Sequence, residues 1–132
     1  MLKKNVIRFV TGILCLFALA GCGSGGDSNT NGTLVLTVGA LDDTGGRFTV
    51  TSTATYTNST STSLTGVPVK IVTTIHTLTG TPQVITENHS TDSAGTVVSI
   101  QHILQTTENI FVDVTATTGG LTQSQSATVP HL

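Results

Sequence analysis

The sequence predicts an all-β domain, a seven-stranded β-sandwich, from two observations. Apolar residues alternate with polar ones in seven short runs, as expected for antiparallel strands that bury one face. Most of the short segments between the runs contain Gly, several of them together with Asp or Pro, which is typical of turns. After residue 22, apolar residues never keep helical spacing for ten residues, and Val, Ile and Thr crowd the candidate segments. Seven strands spaced in this way favour two packed sheets.

The first three runs have a clear inward phase. The second is the most regular: every second residue from Phe48 to Tyr56 forms its core face, and the five threonines from Thr49 to Thr57 belong outside. The other two runs alternate in the same way. Their predicted inward residues are Leu34, Leu36 and Val38 in the first run, and Val67, Val69, Ile71, Thr73 and Ile75 in the third.

The later runs are more polar. Residues 83–88 form a weaker fourth run, and in the fifth, residues 96–103, the neighbours Val97 and Val98 leave the facing open. The seventh covers residues 121–129. The sixth predicts a core strand through Ile110, Val112, Val114 and Ala116. Turns are expected at residues 42–46, 79–82, 92–95 and 118–120, where glycines tolerate positive φ.

The amino terminus carries an export signal rather than part of the fold. Lys3, Lys4 and Arg8 precede an apolar region of about 15 residues, shorter than the ~20 needed to cross a bilayer as a helix. Its end, Leu19-Ala20-Gly21-Cys22, resembles the lipobox of bacterial lipoproteins. That resemblance implies cleavage after residue 21 and a diacylglycerol on Cys22, often with a fatty acid such as palmitate on the freed amine. Because Gly23 follows the cysteine, it also implies the outer membrane in a bacterium with two membranes.

Three segments follow from this boundary: signal peptide 1–21, lipidated Cys22 with a flexible tether over 22–32, and sandwich 33–132. Cys15 leaves with the signal, so no disulfide can form within the mature chain. The mature part keeps two basic residues against seven acidic ones, 2 − 7 = −5, which excludes a basic nucleic-acid-binding face. Its 27 Thr and 11 Ser residues make hydroxyls the main solvent-facing groups.

The order of motifs along the mature chain resembles bacterial immunoglobulin-like domains of the invasin and intimin group. The matching pieces are FTVTSTATYTN, TGVPVKIVTT, STDSAGTVVSI, NIFVDVTATTGG and a closing SATV. The resemblance covers about residues 34–129. It implies an immunoglobulin-like β-sandwich without the antibody disulfide, often used as a spacer that displays other domains.

The chain shows no signature of an enzyme. It has neither a Gly-x-Ser-x-Gly elbow nor a His-Glu-x-x-His motif, so no catalytic residue and no cofactor are expected. Glu87 and Asp113 are expected to be solvated. His76, His89 and His102 lie on successive strands, which places His76 and His102 at one end of the sandwich and His89 at the other. A two-histidine site with Glu108 is a weak metal candidate, because zinc usually needs three or four protein ligands.

Two functions are consistent with this pattern. The favoured one is a membrane-anchored cell-envelope lipoprotein acting as a structural or protein-interaction module; the alternative is a lipoprotein that binds a glycan, a metal or an envelope protein through loops at one end. With no Trp, Phe111 is the one outward aromatic candidate, which argues against a glycan or other small-molecule ligand. Strand alternation places Asp42, Asp43 and Glu108 at the end away from the tether. They form a candidate interaction tip for an envelope or surface protein.

Overall fold

The computed structural model describes residues 32–60 and 63–131. The predicted signal peptide, Cys22 and nearly all of the tether lie outside these residues. Within them the fold is all-β, which confirms the predicted fold class, and no helix is long and apolar enough to cross a membrane. The strands are β1 (Gly32–Asp42), β2 (Arg47–Asn58), β3 (Pro68–His76), β4 (Gln83–Ser90), β5 (Thr96–Leu104), β6 (Ile110–Thr118) and β7 (Leu121–Val129).

Two antiparallel sheets form the sandwich. The three-stranded sheet has the order β1-β2-β5, and the four-stranded sheet has the order β4-β3-β6-β7. β2 and the pair β3 and β6 are therefore central, while β1, β5, β4 and β7 are edges. β1 packs against β7 along one side of the sandwich. On the other side, the edges of β4 and β5 face each other across the open mouth between the sheets.

The core lies between the sheets and follows the predicted alternation. In the central strand β6, Val112, Val114 and Ala116 are fully buried and Ile110 is nearly so. The five threonines of β2 alternate with the buried residues of that strand and lie on its outer side, as predicted. The buried apolar residues of the other strands are Leu34, Leu36, Phe48, Val50, Ala54, Tyr56, Val69, Ile71, Val97, Ile103 and Val129.

The structure resolves one facing that the sequence left open and corrects another. In β5, Val97 is buried and Val98 points outward. In β4, Glu87 and His89 share the half-buried inward phase with Ile85, whereas the sequence analysis expected a solvated carboxylate at Glu87. The expectation was wrong because of the register between β3 and β4. Glu87 lies opposite Ile71 and His89 lies opposite Val69, and both of these β3 residues belong to the core.

The loops gather at two ends. At the end where β1 begins, the amide of Tyr56 donates to the carbonyl of Gly95 (2.8 Å), and Gly66 donates to Thr91 (2.8 Å). At the opposite end, Gln105 donates through its amide to Gly46 (2.7 Å) and through Nε2 to Pro130 (2.8 Å). The β1–β2 loop, the β5–β6 loop and the carboxyl end of the described chain therefore meet at the end remote from Gly32.

Candidate interaction site at the remote loop end

The centre of the remote loop end is the carboxylate of Asp43, in the turn between β1 and β2. The turn is tight because Thr44, Gly45 and Gly46 all have positive φ, at 65°, 82° and 78°. Glycine adopts this backbone region readily, and the two glycines allow the chain to reverse here. Asp42 stabilises the turn, since its Oδ1 accepts a hydrogen bond from the amide of Thr44 at 2.8 Å.

Four side chains form the cluster that we call the Asp43 cluster: Asp43, Arg47, Thr49 and His102. The Thr49 hydroxyl donates to Oδ2 of Asp43 and lies 3.1 Å from Nδ1 of His102. The same Oδ2 lies 3.9 Å from Nε of Arg47 and 3.8 Å from Nδ1 of His102. Strand pairing explains the convergence, because Thr49 and His102 are directly opposite each other on β2 and β5.

The hydrogen bonds of the Asp43 cluster differ from those of a nucleophile–histidine–carboxylate triad. In a triad the imidazole lies between the hydroxyl and the carboxylate. Here the hydroxyl lies between the other two groups, since both Asp43 and His102 contact Thr49. The arrangement orients a partly exposed carboxylate and an exposed imidazole side by side. Such a surface can contact a polar or charged partner group.

The structure brings together only some of the residues predicted for this end. Asp43 and His102 are in contact, and Asp42 lies beside Asp43 in the same turn. Glu108 lies in the β5–β6 loop, where its backbone amide and carbonyl both bond the Thr106 hydroxyl. Among the described residues, no group of three or more His, Cys, Asp or Glu side chains is placed to hold a metal ion.

His76 belongs to a different cluster, on the outer face of the four-stranded sheet. Its Nε2 lies 2.9 Å from Oδ2 of Asp113, and Ser126 donates to Oδ1 of the same carboxylate at 2.6 Å. The weak metal candidate of His76, His102 and Glu108 is therefore split between two sheets and a loop. Phe111 is exposed, as predicted, and pairs with His76 across β3 and β6.

Sequence reasoning missed a third polar cluster, at the mouth between β4 and β5. Glu87 accepts hydrogen bonds from the Ser99 hydroxyl and from Nε2 of Gln101 (3.2 Å), so its carboxylate joins the two sheets. Nε2 of His89 is buried without a hydrogen-bond partner and lies 3.7 Å from Glu87 Oε1. The sequence did contain a signal for this cluster. Ile85, Glu87 and His89 are alternate residues of one strand, so if Ile85 points toward the core, Glu87 and His89 point to the same side.

Lipidation at Cys22 concerns a residue outside the described part of the chain. Comparison of the sequence with protein-family models and with curated proteins gives no match in either.

Proposed function

We propose that this chain is a cell-envelope lipoprotein, held to a membrane by lipid on Cys22, whose sandwich acts as a structural or protein-interaction module. The observation that carries the proposal is the amino-terminal segment. Basic residues, an apolar region of signal-peptide length and Leu19-Ala20-Gly21-Cys22 occur in the right order and spacing. Two or more acyl chains on one residue hold a protein stably at a bilayer, whereas a single chain does so only marginally.

The position of β1 is consistent with such an anchor. β1 begins at Gly32, ten residues after Cys22, and a stretch of that length spans at most about 35 Å. β1 is 11 residues long, so it extends about 37 Å from the tether end toward the remote loop end. The Asp43 cluster then lies on the side of the domain away from the lipid. In this orientation the sandwich is attached to the outer membrane, or to the single membrane of a one-membrane bacterium. Its remote loops point away from that membrane.

A module role fits the surface better than a catalytic role. Hydroxyl side chains dominate the outer faces of β2 and β7, and the polar clusters around Asp43 and Asp113 are small hydrogen-bonded networks. The resemblance to invasin and intimin domains supports the same role. The alternative, a ligand-binding lipoprotein, is favoured by one observation only: the Asp43 cluster holds an acidic and a basic side chain within 3.9 Å of each other at an exposed end.

The test of the anchor is Cys22→Ser, expressed in the full-length chain in a bacterium. We expect the mature protein to lose the mass of its acyl chains and to move from the membrane fraction to the soluble fraction. Cys15→Ser is the matched control, because that cysteine lies within the predicted signal peptide and should alter neither property. An unchanged mass and an unchanged membrane-bound fraction for Cys22→Ser would refute the proposal.

A further inference from the structure

We draw no further inference here: the strongest candidate, the exposed apolar strip of Val98, Ile100 and Leu104 on the outer face of the edge strand β5, carries none because nothing in the described part of the structure shows what covers it.

Discussion

Gly95 is a position at which the backbone of this sandwich has little freedom. It lies in the β4–β5 turn, three residues after Asp92, and has a φ of +77°. Its carbonyl accepts a hydrogen bond from the amide of Tyr56. A Cβ atom at this position would overlap the carbonyl oxygen of Tyr56 and crowd the side chain of Leu64. Asp92 stabilises the same turn by accepting the amides of Ala94 (2.9 Å) and Thr96 (2.8 Å). The turn can therefore form only with glycine at position 95.

Gly95→Ala is accordingly expected to lower the free energy of unfolding by about 1–3 kcal/mol or more, from backbone strain and the clash with Tyr56. The matched variant is Gly39→Ala. Gly39 lies in β1 with no atom within 4 Å of an added Cβ and without positive φ, so alanine there should be neutral or stabilise by up to about 1 kcal/mol. Urea unfolding of both variants measures the difference. Equal effects of the two substitutions would contradict this account of the turn.

At the scale of elements, Glu87 is the side chain that holds the open side of the sandwich together. β4 and β5 belong to different sheets and make few contacts, but the Glu87 carboxylate on β4 accepts hydrogen bonds from Ser99 and Gln101 on β5. The Ser99 hydroxyl is buried, so loss of its acceptor leaves a polar group with no partner. A buried polar group without a partner lowers the free energy of unfolding by more than the net contribution of one hydrogen bond.

Glu87→Ala should therefore lower the free energy of unfolding by about 1–3 kcal/mol. Thr86→Ala, on the exposed outer face of the same strand, should cost less than about 0.5 kcal/mol. In a double-mutant cycle, Glu87→Ala and Gln101→Ala should show a coupling of about 0.5–1.5 kcal/mol. Urea unfolding supplies all four free energies. Strict additivity of the two changes would show that the hydrogen bond between Glu87 and Gln101 contributes nothing to stability.

The extent to which these elements could be predicted follows from how regular their alternation is. Residues 121–129 were predicted as a strand and form β7 with the same bounds, since turn residues lie at both ends. β1 runs four residues past the predicted 34–38, because backbone pairing with β2 continues through Gly39 and Ala40, where side chains give little signal. β4 was assigned the wrong exposure at Glu87, since Val84 and Ile85 are adjacent and either could have set the inward phase.

Contacts between distant residues were less accessible to prediction than the strands. Thr49 and His102 are 53 residues apart and meet because β2 pairs with β5 in one register. A shift of that register by one residue would place His102 on the other face. His76 was expected near His102 from the alternation of loops alone, but the register between β3 and β6 directs it to Asp113. Loop alternation defines which end a residue occupies, and only the register defines its partner.

For the whole molecule, the two ends of the sandwich differ in chemistry. The end near Gly32 is tied by backbone hydrogen bonds among Tyr56, Gly66, Thr91 and Gly95, and Asp92 is engaged in its own turn. The remote end carries Asp42, the Asp43 cluster and Glu108, at strand ends and in the loops between them. If the chain is anchored at Cys22, the remote end is the one that a partner in the envelope reaches first, and its exposed charges make that contact sensitive to salt.

A partner captured from crosslinked envelope should therefore be lost in part when the remote end is neutralised. We expect Asp42→Ala, Asp43→Ala and Glu108→Ala each to reduce recovery of the partner about two- to fivefold, the range for exposed ion contacts of up to 1 kcal/mol, and raised salt to act in the same direction. Asp92→Asn is the control, because it removes one charge at the opposite end. It keeps a side-chain oxygen that can accept the hydrogen bonds from the amides of Ala94 and Thr96. Equal loss with Asp92→Asn, or crosslinks confined to residues 63–66 and 90–95, would place the contact at the tether end and exclude the Asp43 cluster.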